Sequence, residues 1–167
     1  MIFTLIAILI TILLILLNGI FVAVEFAVVT SKRSKMQAFA KTGDRSARLA
    51  LDLMTNLPLS ISGAQLGITV TSLGLGLVAE PAFAKVIENF ITEPLGMPKT
   101  LSHAIAFGFA LFIVVFMHMV IGEMVPKNLA LTNPETVLCK VARAHRSFVV
   151  LFRPVIWFLN KVSSLLL

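Results

Sequence analysis

The chain has 167 residues, of which 58% are apolar and only 13% charged, with a mean hydropathy of +0.99. Soluble domains run at about 45–50% apolar and about 25% charged, so this composition describes a membrane chain whose apolar surface is meant for lipid. The single cysteine, Cys139, excludes an intrachain disulfide framework, and the net charge of +6 raises membrane sidedness before nucleic-acid binding.

The first element, MIFTLIAILITILLILLNGIFVAVEFAVV, has no basic leader. Its apolar run far exceeds the roughly 7–15 residues of a signal-peptide core, which predicts a retained transmembrane helix from Ile2 to Val29. A basic segment follows, with Lys32, Arg33, Lys35, Lys41, Arg45 and Arg48 against Asp44 and Asp52. Its apolar residues from Met36 to Met54 recur on one helical face, interrupted near Thr42-Gly43-Asp44, and predict an amphipathic helix on the inner membrane surface or against the bundle. Pro58, tolerated in a first turn, opens a second span from Leu59 to Val78. An acidic hairpin comes next, with Glu80, Glu88 and Glu93 against Lys85 and Lys99. The third span runs from Leu101 to Val125.

The tail carries Lys127, Lys140, Arg143, Arg146, Arg153 and Lys161, with Glu135 its only acid. The two basic segments must share a side, so the positive-inside rule places the N-terminus outside and the C-terminus in the cytosol, across the plasma (inner) membrane. Asn133-Pro134-Glu135 is a helix start, with Asn133 as the cap and Pro134 at the first helical position. A fourth span would bury Arg153 and break at Pro154, at a cost of several kcal/mol. Residues 133–167 are therefore expected to form a bent juxtamembrane belt at the inner interface, anchored by Trp157 and Lys161, beside a transmembrane core over residues 1–132. The apolar ending KVSSLLL, without a helix-stop signal, predicts a cytosolic part beyond it. No HExxH, GxSxG, P-loop or GxGxxG motif occurs, and no nucleophile–base pair suggests an enzyme.

Two acids, Glu25 and Glu123, fall in or near spans, where a carboxylate is a functional hypothesis by default. Asn18 lies seven residues before Glu25, nearly two turns, so both share a face, with Gly19 allowing close approach. Ser62, Gln65, Thr69 and Ser72 form a polar stripe on the second span beside Gly63 and Gly67, a G-x-x-x-G pair. In the third span, Pro126 opposes the carbonyl four residues back, at Gly122, making that oxygen a candidate free acceptor. Carbonyl, amide, hydroxyl and carboxylate oxygens without thiolates suit a hard cation such as Mg²⁺, Ca²⁺ or Na⁺. Each feature also has a plainer reading. The stripe can be interhelical glue, the glutamates can pair with Lys32 and Lys127, His118 suits packing or hydrogen bonding better than ligation, and His103 and His145 suit the interface. Only the convergence of three polar faces lifts an ion site above these.

Three stretches, LNGIFVAVEFAVVTSKRSK (Leu17–Lys35), SGAQLGITVTSLGLGLVAEP (Ser62–Pro81) and VIGEMVPKNLAL (Val120–Leu131), together resemble the transmembrane domain of the CorC/CNNM (cyclin M) magnesium transporters. The resemblance implies an all-α homodimer with three transmembrane helices and a belt helix. It implies Mg²⁺ export with Na⁺ coupling proposed, and a cytosolic CBS-pair domain binding ATP beyond residue 167. Many members carry a serine where this chain has Phe21-Val22-Ala23-Val24, so first-span oxygens must come from Asn18, Glu25 or a main-chain carbonyl near Val22. The expected ion site then draws on Asn18, Val22, Ser62, Gln65, Thr69 and Gly122 for oxygens, with Glu25 and Glu123 supplying charge. The alternative is a membrane anchor and dimerisation module for a cytosolic nucleotide sensor.

Overall fold

The uninterrupted apolar run at the start of the chain folds as one helix, α1 (Ile2–Thr30), in a computed structural model that describes residues 2–95 and 99–166. After a short extended link come α2 (Arg33–Lys41) and α3 (Arg45–Thr55), separated where the sequence predicts a break. Gly43 adopts φ +94, a left-handed conformation that favours glycine, and the Asp44 carboxylate accepts the Ser46 N–H at 2.8 Å to start α3.

The second span belongs to a longer helix than expected, α4 (Leu57–Leu95), which continues through the segment anticipated as a hairpin. Ala79, Ala82, Phe83 and Ile87 keep a helical repeat of inward-facing apolar residues beyond the span, and Ala79 and Phe83 pack with Ile15 and Val114. The side chains of Glu80, Glu88, Glu93, Lys85 and Lys99, on which the acidic-hairpin reading rests, lie outside the described residues, as does the turn at 96–98. α5 (Lys99–Met117) then passes into a seven-residue π-helix, His118–Met124, and on into α6 (Val125–Thr132). The third span therefore does not stop at Val125. The π-helix shifts the ladder by one residue, with the Val125 N–H donating to the Val120 carbonyl, and Pro126 enters the first turn of α6, where its missing N–H costs little.

Three stretches are long and apolar enough to cross a bilayer: Thr4–Thr30, Leu57–Ala79 and Thr100–Thr132. The chain is an all-α, multi-pass membrane protein, and no strand occurs among the described residues. α1 packs along α4, and α4 along α5, while the opposite side of α1 meets α6 and α7. Large side chains such as Leu9, Leu73, Leu77 and Phe112 face outward, as lipid contact requires.

α7 (Pro134–Leu151) and α8 (Arg153–Leu166) are bent by 77° at Phe152. The bend precedes Pro154, which has no N–H for the carbonyl four residues back, at Val150, and whose ring crowds it. Asn133 departs from expectation: its side chain makes no cap, and the backbone serves instead, its N–H donating to the Leu129 carbonyl and its carbonyl accepting from Val137. Glu135 turns inward and ties α7 to the α1–α2 link, accepting the Lys32 N–H at 3.1 Å with Lys35 Nζ at 3.8 Å. Burial opposes its ionisation, but the Lys32 N–H and the charges of Lys35 and Lys32 outweigh burial and hold the carboxyl below its usual range. His145, expected at the interface, is instead fully buried against α4, its Nε2 3.0 Å from the Ser60 carbonyl. At the far end of the tail, Lys161 lies over the Trp157 ring.

Candidate functional site

Asn18 sits near the middle of the first span and is wholly buried. Its side-chain N–H donates to the Gly122 carbonyl at 3.0 Å, so the oxygen expected to be free is engaged across the bundle. Pro126, four positions on, has no N–H to offer it, so an α-helical partner is excluded for this oxygen. Gly122 is small for the same contact. A Cβ there would lie 3.0 Å from His118 Cδ2 and 3.3 Å from Asn18 Nδ2.

The other face of the Asn18 amide binds α4. Its Oδ1 accepts the Thr71 hydroxyl at 2.7 Å, with the Ser72 hydroxyl at 3.4 Å. Thr71 has a single proton, and the carbonyls of Gly67 and Ile68 lie at 2.8 and 3.0 Å, so its bond to Asn18 competes with back-bonding along its own helix. Ser72 also lies 3.4 Å from His118 Nε2, which lies 3.6 Å from Glu123 Oε1. The i to i+5 repeat of the π-helix is what brings His118 and Glu123 together. Asn18, Thr71, Ser72, the Gly122 carbonyl, His118 and Glu123 thus form one polar cluster between α1, α4 and the π-helix.

The remaining expected residues lie elsewhere. Glu25 accepts from Gln65 Nε2 at 3.3 Å in a more exposed pair. Seven residues along a helix is about 10 Å, so this pair is a second station on α1, separate from Asn18. Neither Glu25 nor Glu123 pairs with Lys32 or Lys127 among the described residues; Lys127 lies over the Phe26 ring instead. Ser62 donates to Asn160 of α8 at 2.7 Å, and Thr69, exposed, bonds back to the Gln65 carbonyl at 2.9 Å. Val22 is buried inside the unbroken α1, where a carbonyl belongs to the helical ladder. Thr71 is missing from the set expected on sequence. Its signal is its place four residues after Gly67, on the small face that meets α1.

The G-x-x-x-G pair does not bring two backbones together. A Cβ on Gly67 would fall 2.5 Å from the Phe21 ring, and one on Gly63 would fall 2.6 Å from Val149 Cγ2. Each glycine admits a side chain from a different helix.

Among the described residues no group of three or more His, Cys, Asp and Glu side chains could hold a metal. The oxygens that do converge are amide, hydroxyl, main-chain carbonyl and one carboxylate. Such a set suits a hard cation that keeps part of its water, and not a soft metal.

The cyclin M transmembrane N-terminal domain matches this chain over residues 9–167. The chain is 41% identical over 153 residues to UPF0053 protein YhdT of Bacillus subtilis, covering 92% of this chain and 33% of that protein. It is 38% identical over 161 residues to uncharacterized protein Rv1841c of Mycobacterium tuberculosis, covering 96% and 45%. A cyanobacterial relative, UPF0053 protein sll0260 of Synechocystis, is 35% identical over 150 residues, covering 88% and 33%. The chain thus spans less than half the length of these relatives.

Proposed function

The chain belongs to the cyclin M transmembrane domain (CorC/CNNM) family, and from that premise we propose that it carries Mg²⁺ across the membrane through the cluster at Asn18. The supporting observation is the Asn18–Gly122 bond: a fully buried amide at mid-span, held to a main-chain oxygen of the π-helix four residues before Pro126. Irregular backbone at that depth is tolerated where it is buried in protein or lines a cavity, and π-helical turns recur at functional sites. A cation entering here takes the Gly122 carbonyl, the Asn18 Oδ1 and the hydroxyls of Thr71 and Ser72, displacing the hydrogen bonds they now make to one another. Glu123 supplies compensating charge, and Glu25 with Gln65 forms a second polar station along α1. Transport is alternating access without covalent chemistry, directed outward and coupled to Na⁺. The working protein is a homodimer in the plasma membrane with its C-terminus in the cytosol, regulated by an ATP-binding CBS pair beyond this segment, with α7 and α8 as the belt.

A second reading is supported by the saturation of the cluster. Every polar atom of Asn18 already has a protein partner, as interhelical glue requires, and the domain then serves as an anchor and dimerisation module. Thermal unfolding of the purified full-length protein separates the two. A ligand that binds only the folded state raises Tm with its concentration. The transport reading expects a Mg²⁺-dependent rise in Tm that Asn18→Ala abolishes, and Mg²⁺ flux into dye-loaded proteoliposomes. A Tm indifferent to Mg²⁺ together with no flux establishes the anchor.

A further inference from the structure

On the side of α1 facing away from Thr71 and Ser72, a groove of about 620 Å³ opens between α1, α6 and α7. Leu16, Ile20 and Ala23 of α1 form one apolar wall, and Ile121, Val125 and Leu129 another. The α7 wall differs: beside Val137 and Val141 it carries Thr136 and Lys140, one turn apart, with Asn133 just before the helix. The groove is therefore apolar along two walls and carries hydrogen-bonding groups and a cation along the third. Lys140 is exposed and has no carboxylate partner among the described residues. One acid, Asp44, lines the adjoining cleft with Thr136 and Lys140 and caps α3 through its Oδ1. Leu16, Val125 and Leu129 are about half exposed, so the apolar walls open to the surface of the bundle that meets lipid.

We propose that this groove seats an anionic glycerophospholipid, with an acyl chain along α1 and α6 and the phosphate at Lys140 and Thr136. Charge selects the occupant: an unpaired lysine beside a hydroxyl suits a phosphate, and a juxtamembrane lysine draws anionic lipid. Shape agrees, since the apolar walls bring together two helices that both belong to spans. The groove also backs directly on the polar cluster. Gly19, next to Asn18, lines it together with Pro126, and a Cβ on Gly19 would lie 3.5 Å from both the Ile121 carbonyl and the Pro126 ring. A chain lying there braces the α1–α6 contact from outside the hydrogen bond between Asn18 and Gly122. The lipid site stands independently of any ion carried by the cluster.

Native mass spectrometry of the full-length protein, released from detergent with either phosphatidylglycerol or phosphatidylcholine added, tests this. Wild type should retain phosphatidylglycerol about fivefold better than phosphatidylcholine, the attraction of one lysine for anionic lipid. Lys140→Gln should lose that preference while still retaining both lipids, and Val125→Trp, which fills the groove, should lose both. Thermal unfolding confirms that each variant is folded, and Ala23→Phe replaces Val125→Trp should the latter fail to fold. Equal retention of the two lipids by wild type overturns the proposal. So does efficient disulfide cross-linking of Val125→Cys between two copies in native membranes, which would assign the groove to a second copy of the chain.

Discussion

Asn18 and Gly122, 104 positions apart in the chain, are joined by a side-chain-to-carbonyl hydrogen bond of 3.0 Å at the centre of the bundle. The bond satisfies a buried amide of the first span with a carbonyl to which Pro126, four residues on, has no N–H to offer. Asn18→Ala removes the amide that donates to the Gly122 carbonyl, while the Thr71 hydroxyl can fall back on the Gly67 and Ile68 carbonyls of its own helix. The substitution should cost about 1–3 kcal/mol, the penalty of a buried group left unsatisfied. Asn18→Asp keeps the acceptor for Thr71 but sets an oxygen against the Gly122 oxygen, so it should be no more stable than Asn18→Ala when ionised. A cation between the two oxygens reverses that order. Denaturant unfolding of both variants, with and without Mg²⁺, measures it, and an Asn18→Asp variant that Mg²⁺ leaves unchanged speaks against a cation at this position.

Thr69 and Thr71 have opposite fates although both are threonines of one helix. Thr71 reaches Asn18, whereas Thr69 is exposed and bonds only to its own backbone. Thr71→Val should therefore lower stability by about 0.6–2 kcal/mol, the range for interhelical bonds in membranes, and blunt any response to Mg²⁺. Thr69→Val should change stability by less than about 0.5 kcal/mol, as for surface sites generally. Parallel unfolding curves for the pair settle the assignment, which fails if the Thr69 variant is the damaged one.

The spans are legible in the sequence because an apolar run of that length has no other use, and the break before α3 is legible in Thr42-Gly43-Asp44. The polar stripe is legible as a face but misleading as a site. Ser62 and Ser72 are ten residues apart, about 15 Å of helix, and over that length α4 meets α8, then Glu25, then Asn18. Continuity of a face is set by one helix, whereas convergence is set by its neighbours. The π-helix is hidden for a related reason. Pro126 announces a lost hydrogen bond, but whether the chain kinks, stops or shifts its ladder depends on what the neighbouring helices pack against it. His145 looks interfacial in the sequence because its own helix is rich in arginine; its burial comes from the space above Gly63, whose added Cβ would lie 3.4 Å from the imidazole.

Glycines in α4 should respond to substitution according to what lies opposite. Gly67→Ala drives a Cβ to 2.5 Å from the Phe21 ring and should cost about 1–3 kcal/mol, as overpacking does. Phe21→Leu should recover part of that loss in the double variant, because the two residues share one space. A methyl added at Gly76 would meet nothing within 4 Å, so Gly76→Ala should be neutral or stabilising by up to about 1 kcal/mol through helix propensity. A double-mutant cycle on Gly67 and Phe21 with no coupling energy would contradict the contact.

His145, on α7 outside the three spans, gives the protein a calculable response to acid. Burial disfavours its charged form and the Ser60 carbonyl restores only part of that loss, so its pKa falls to about 4 from an ordinary value of about 6.5. The Nε2–H donates to Ser60 while Nδ1 has no partner, so a second proton would be a buried donor without an acceptor. Between these two values the unfolded chain binds more protons at this site than the folded one, so its contribution to stability rises with pH. The destabilisation is absent above about pH 6.5, grows as pH falls, and levels off below about pH 4. Glu135, whose pKa is lowered, acts in the same direction, but its contribution is lost only within and below the ordinary carboxylate range. Tm should therefore fall between about pH 7 and pH 5 more steeply in wild type than in His145→Gln, whose side chain can still donate to Ser60. Because every other titratable group is common to both proteins, the difference between the two slopes isolates His145, and parallel slopes would show the imidazole to be solvated.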